Sequence, residues 1–211
     1  QLAEAMRKQG KETKAEAALQ TAYRNAISSK GPDDELSIRC ADELGKFNLN
    51  EGYWKDAEKF YRIVLERRLQ THEEGSIQVV DAMANLSYAL ERMYRYKEAQ
   101  NLSEKVVKLR GEAKDQHSLA RIYMRRKIPG PALSLFEAAY AKAVEAKGAG
   151  SREALEIMRH EAENLSKFSN HKKAWNLAQR GLEISVSSLG EYDSLSRSFL
   201  SSKNSIEKNT G

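Results

Sequence analysis

The sequence predicts an all-α chain built from repeated helical hairpins stacked side by side. Three observations carry this. Helix formers crowd every segment of the 211 residues, and with 3 prolines and 12 glycines in all there is little to break them. An alanine recurs at Ala15, Ala57, Ala99, Ala132 and Ala174, spaced 42, 42, 33 and 42 residues apart, and a fixed period of this size marks a repeat architecture. Twelve residues before each of the last four stands a small residue, Gly45, Ser87, Ala120 or Ala162, which lets two antiparallel helices approach closely.

Each anchor alanine opens the second helix of a hairpin. Four residues later come Leu19, Tyr61, Ser103, Phe136 and Ala178; seven later come Ala22, Val64, Val106, Ala139 and Gly181; eight later come Tyr23, Leu65, Val107, Tyr140 and Leu182. These are positions on one helical face. In the first helix, Leu44, Leu86 and Leu119 precede the small residue as packing knobs, and Glu161 breaks that pattern in the last copy. Turns between the two helices are expected at Asn50-Glu51-Gly52, Arg95-Tyr96 and Pro129-Gly130-Pro131. The hairpins are thus placed at about 1–30, 35–72, 76–111, 114–148 and 151–189, in a single repeat domain over 1–211. Gln1 falls inside a first helix and no Met precedes it, so the chain is expected to begin partway through a longer protein, with a domain upstream. The 33-residue interval predicts a short second helix ending near Leu109-Arg110-Gly111, with a local change in superhelical pitch and groove width. A capping helix is expected at about 193–207, with Leu195, Phe199 and Ile206 inward and Ser194, Ser196, Ser198, Ser201 and Ser202 outward.

Composition narrows the functional classes. Cys40 is the only cysteine, which rules out an intrachain disulfide framework, and no hydrophobic signal segment precedes it, so a reducing cytoplasmic location is expected. No stretch approaches the roughly 20 apolar residues of a membrane span. The formal net charge of +5 and isoelectric point near 9.1 favour acidic partners. Nucleic-acid binders usually concentrate more positive charge than this.

The segments Glu43-Leu44-Gly45 through Gly52-Tyr53-Trp54-Lys55-Asp56-Ala57, Asn85-Leu86 through Tyr96-Lys97-Glu98-Ala99, and Leu189-Gly190-Glu191-Tyr192-Asp193 resemble the 42-residue tetratricopeptide repeats of kinesin light chains. Similar repeats occur at the C-terminal end of many fungal and bacterial NTPase receptors. The resemblance covers nearly the whole chain and implies a right-handed superhelical solenoid of tetratricopeptide-like hairpins, whose usual work is to hold a protein. The eight residues beyond the usual 34 lengthen the second helix and its loop.

Catalytic patterns are missing. Gly148-Ala149-Gly150-Ser151 begins like a dinucleotide fingerprint but follows a helix and lacks the third glycine, so it is a loop between helices. His72, His117, His160 and His171 fall on different hairpins without metal-ligand spacing, and solvent-exposed or groove-lining roles are expected for them. Cys40 reads as a small packing residue. The Asn-Leu-Ser triplets at Asn85, Asn101 and Asn164 lie inside helices rather than marking glycosylation. No catalytic residue, metal site, cofactor or small-molecule substrate is therefore expected.

In tetratricopeptide arrays the concave face is lined by the first helix of each hairpin. The matching positions here are Arg39, Asp42, Lys46 and Asn50; Asn85, Tyr88 and Arg92; Lys114, His117, Arg121 and Arg125; and Arg159, His160, Glu163 and Lys167. A single exposed Lys or Arg most often only keeps a helix in water. Their recurrence on one face instead predicts a basic strip that steers an acidic, partly aromatic peptide. The resemblance assigns Asn85 to the main chain of an extended ligand, a task an amide suits because it both donates and accepts. The candidate partner-binding set is Arg39, Lys46, Asn50, Asn85, Tyr88, Arg92, Lys114, His117, Arg121, Arg125 and Arg159. The leading reading is a scaffold or adaptor that binds an acidic peptide or partner segment. The alternatives are a sensor segment of a larger NTPase receptor with intramolecular contacts and, less favoured, RNA binding through the basic face.

Overall fold

The computed structural model describes residues 12–168 and 170–208. The start of the hairpin expected at 1–30 lies outside them. Among the described residues there are ten helices and no strand: α1 Glu12–Lys30, α2 Glu35–Glu51, α3 Trp54–Thr71, α4 Ile77–Arg92, α5 Tyr96–Leu109, α6 Ala113–Arg125, α7 Pro129–Lys147, α8 Arg152–Lys167, α9 His171–Leu189 and α10 Ser194–Lys208. The chain divides into two compact units, one running through Leu109 and the other starting at Arg110. The division falls at the 33-residue interval. There α5 has 14 residues, against 18 in α3 and 19 in α7 and α9.

All five anchor alanines are fully buried. Tyr61, Val64, Ser103, Val106, Phe136, Ala139 and Ala178 are buried on the faces their spacing assigns. The first copy departs from the pattern: Ala22 is exposed, and Ala26, one turn on, is buried instead. The small positions matter because they admit ring atoms. A Cβ on Gly45 would lie 2.7 Å from Cε1 of Tyr61, and the Ser87 hydroxyl bonds the Ala99 carbonyl at 2.8 Å.

Helix ends alternate in construction. The first helices start on side-chain caps, with Asp34 accepting from the Leu36 amide, Ser76 from Val79 and Ser151 from Ala154, while Glu112 and Asp115 form a capping box on α6. The second helices α3, α7 and α9 have no side-chain cap. Their entries are set by the turn itself, because the amides of Tyr53, Arg95, Ile128 and Asn170 each bond the carbonyl five residues back, at Asn48, Leu90, Tyr123 and Leu165. This six-to-one bond is the Schellman closure. It places Gly52, Tyr94 and Lys127 in the left-handed region, at φ 83°, 62° and 61°. The turns therefore differ from those read from sequence. Asn50 and Glu51 still belong to α2, Tyr96 to α5, and Pro129 to Pro131 to the first turn of α7, where a missing amide hydrogen costs nothing.

The outward placement of Ser196 is also corrected. It is buried, and its hydroxyl donates to the Gly190 carbonyl at 2.8 Å, as Ser37 does to Gly31 at 2.6 Å. A serine two residues inside the helix thus ties down the glycine of the preceding loop.

In the first unit α1 to α5 pack consecutively. In the second, α6, α7 and α8 pack mutually, as do α8, α9 and α10. The first unit's core joins Ile38, Ala41, Val64 and Ala82. The second's is larger, with Phe136 among Ala120, Met124, Ala139 and Ile157, and Phe199 against Leu155 and Met158. No described helix is long and apolar enough to cross a membrane.

Candidate peptide-docking faces

In the first unit the predicted site residues lie on α2 and α4. Lys46 reaches Asp42 at 2.7 Å and Glu43 at 2.9 Å. Partial burial works against its charge, but these two carboxylates outweigh it and hold its pKa above the ordinary lysine value. Asn85 donates its amide to Asp42 at 3.3 Å. Arg39 and Asn50 are exposed at opposite ends of α2, and Tyr88 is exposed on α4. Arg92 stacks its guanidinium 4.4 Å from the ring centre of Trp54, leaving its edge N–H groups free to reach a carboxylate. The structure brings Lys46 and Asn85 together through Asp42, and Arg92 to Trp54, an indole that the sequence did not single out.

In the second unit the face is built from α6 and α8. Lys114 pairs with Glu112 at 3.2 Å. Arg159 pairs with Glu163 at 2.5 Å and donates to His160 Nε2 at 2.9 Å. His160 Nδ1 lies 2.8 Å from His117 Nε2. Arginine only donates, so His160 Nε2 is the acceptor, and a neutral His160 then carries its proton on Nδ1 and gives it to His117. The two rings are 4.9 Å apart, and His117 also leans on Phe136 at 5.8 Å. Burial, reinforced by Arg121 and Arg159, lowers the His117 pKa to about 3. Burial, with Arg159, His117, Arg121 and Lys167, does the same for His160. The pair is neutral at ordinary pH. His117 is therefore uncharged and half-buried, and adds no positive charge to the α6 and α8 face. Arg125 and Lys167 are exposed and make no ion pair with a described residue.

One register rule links the two faces. Asp42 meets Asn85 and His117 meets His160, each pair 43 residues apart. A residue in the first helix of one hairpin thus touches the residue one full repeat and one position further on. That offset was present in the spacing, but it becomes informative only once the first helices are known to be neighbours. The Asn-Leu-Ser triplets all lie in helices, with Leu86 and Leu165 buried. Burial raises the Cys40 pKa, so its thiol stays protonated. Among the described residues, no three His, Cys, Asp or Glu side chains come together as a metal ion would need.

A tetratricopeptide repeat profile matches residues 79–113, and no curated protein sequence matches the chain. Solved structures with the same fold include TPR-like repeats from Podosopora anserina described as those of a kinesin light chain, with a TM-score of 0.77 at 17% identity over 89% of this chain and 93% of that one. BtubC (BKLC) from P. vanneervenii gives 0.72 at 18%, covering 95% and 83%. MamA gives 0.61 at 16%, covering 87% and 94%. The kinesin-light-chain-like resemblance read from the sequence is borne out at the level of fold. Tetratricopeptide hairpins generally serve as protein-interaction modules.

Proposed function

We propose that the chain holds a partner rather than transforming one, and that its second unit binds an extended acidic segment along the α6 and α8 face. The observation that carries this reading is the uneven pairing of cations. Lys114 and Arg159 already have carboxylate partners, whereas Arg125 and Lys167, at the ends of the two helices, have none among the described residues. Exposed, unneutralised guanidinium and ammonium groups on one face favour carboxylates and orient them, and Arg125 adds bidentate geometry. About two turns earlier on the same two helices, the neutral imidazole pair supplies a polar surface without repelling a main chain. On the first unit, Asn85, Tyr88 and Arg92 offer an amide, a phenol and a stacked guanidinium for backbone and side-chain contacts of the same chemistry.

The test is fluorescence anisotropy with a labelled glutamate-rich peptide. Arg121→Glu with Arg125→Glu should weaken binding by about 10-fold or more while helicity by circular dichroism is unchanged, since truncating or reversing a paired charge costs a few kcal/mol. Arg125→Glu alone, at an exposed site, should give a smaller loss in the same direction. An affinity that is unchanged in both variants removes this face from the account.

A further inference from the structure

Beside the α6 and α8 face, the second unit contains an open crevice of about 660 Å³ lined by Glu163, Ser166, Lys167, His171, Ser201, Ser202, Ser205 and Ile206. Its walls come from the end of α8, the start of α9 and the exposed side of α10 that carries Ser201, Ser202 and Ser205. The charge balance favours an anion: Glu163 is already held by Arg159, whereas Lys167 has no ion pair with a described residue. The hydroxyls of Ser166, Ser201, Ser202 and Ser205 likewise make no hydrogen bond to a described group. His171 lines the crevice with its ring only half-buried, so the imidazole edge that faces the opening can meet a bound polar group, while its Nδ1 is shielded and has no hydrogen-bond partner. Asn170 does not cap α9 with its side chain, so the first amides of that helix add partial positive charge where it begins.

A carboxylate presents two oxygens and one charge. A phosphate monoester presents three terminal oxygens and nearly two charges, which better matches an ammonium, an imidazole and several hydroxyls converging from three helices. We propose that this crevice is a subsite for a phosphate monoester, carried on a phosphorylated serine or threonine of the segment that lies on the α6 and α8 face. The inference rests on that reading of the face, and the two fail separately.

The experiment compares one acidic peptide in three forms, with serine, glutamate or phosphoserine at its centre. The phosphoserine form should bind about 10-fold tighter than the glutamate form, the gain of one or two charge-assisted hydrogen bonds. Ser201→Ala with Ser205→Ala should cut that advantage to below about 3-fold and leave the other two peptides unaffected, because alanine is at home on an exposed helix face. Lys167→Ala should weaken the phosphopeptide most. Equal binding of the phosphoserine and glutamate forms overturns the proposal, as does an advantage that survives the double alanine variant. If no peptide binds, the reading of the α6 and α8 face fails, and inorganic phosphate decides the crevice by itself. A saturable shift of the His171 ring resonances that the double variant abolishes supports the subsite, and its absence overturns it.

Discussion

Glu161 occupies the position that Leu44, Leu86 and Leu119 fill in the other hairpins, all three of them buried. Burial, and then Glu137 on α7, raises its pKa to about 7. A carboxyl whose folded pKa exceeds its unfolded value favours the native state fully below about 4.5, and that contribution is lost as pH rises through 7. The His117 and His160 pair works in the opposite direction. Their folded pKa values near 3 lie below the unfolded value, so their contribution is complete above about pH 6.5 and is lost as pH falls toward 3, by about 1.4 kcal/mol per pH unit for each ring. Glu161→Leu should therefore raise the unfolding temperature at pH 8 by about 2–4 °C, the shift that about 1 kcal/mol makes in a chain of this length, and by less at pH 4.5. Thermal scans at the two pH values check it. An equal gain at both would mean that the carboxyl's ionisation is not what burial opposes. The exception at Glu161 was legible in the repeat spacing. Its titration was not, because no repeat position set Glu137 against it. The histidines show the same limit, since residue type was visible but burial among arginines depended on which helices became neighbours.

At the scale of the helix, the small-residue rule makes an unusual sign prediction. Replacing glycine by alanine inside a helix normally stabilises by about 1 kcal/mol. At Gly45 the new methyl would meet the Tyr61 ring at 2.7 Å, and that ring is fully buried with nowhere to go. Gly45→Ala should instead destabilise by about 1–3 kcal/mol, the range for overpacking. Gly75, in the loop before α4, has nothing within 4 Å of its would-be methyl and no left-handed backbone, so Gly75→Ala should stabilise by about 0.4–1 kcal/mol. Urea midpoints of the two variants should move in opposite directions, and a shared direction would deny the small residue its packing role. Spacing made Gly45 recognisable, because it recurs as Ser87, Ala120 and Ala162. The helix entries were less readable. Proline at positions 129 and 131 looked like a turn, yet it opens α7, and the true turn residue Lys127 adopts a left-handed conformation that its side chain gives no hint of. The backbone closure from Ile128 to Tyr123 sets that geometry, and closures of this kind leave a mark in residue type at Gly52 but none at Tyr94 or Lys127.

At the scale of the whole chain, stability is distributed over neighbouring helices instead of one centre. The order of the stack followed from the anchor alanines, whereas the division at Leu109 and Arg110 was foreshadowed only by one short interval. Arg110 marks the start of the second unit by gripping Asp115 with two bonds, at 2.8 and 2.7 Å. At the far end α10 closes the unit. Phe199 is fully buried against Leu155, Met158 and Leu195, over Leu177 and Leu182, and Gly181 leaves the space its ring enters, since a Cβ there would overlap that ring. Phe199→Ala should cost about 3–5 kcal/mol through lost burial and the cavity left behind. Because each helix in such a stack leans mainly on its neighbours, the loss should be local. Hydrogen exchange should quicken most in α8, α9 and α10, while α6 and the start of α7, held through Phe136 and its own cluster, keep most of their protection. Exchange that quickened equally from α6 to α10 would mean that the second unit opens as one block, and that neighbour-by-neighbour stacking does not describe its energetics.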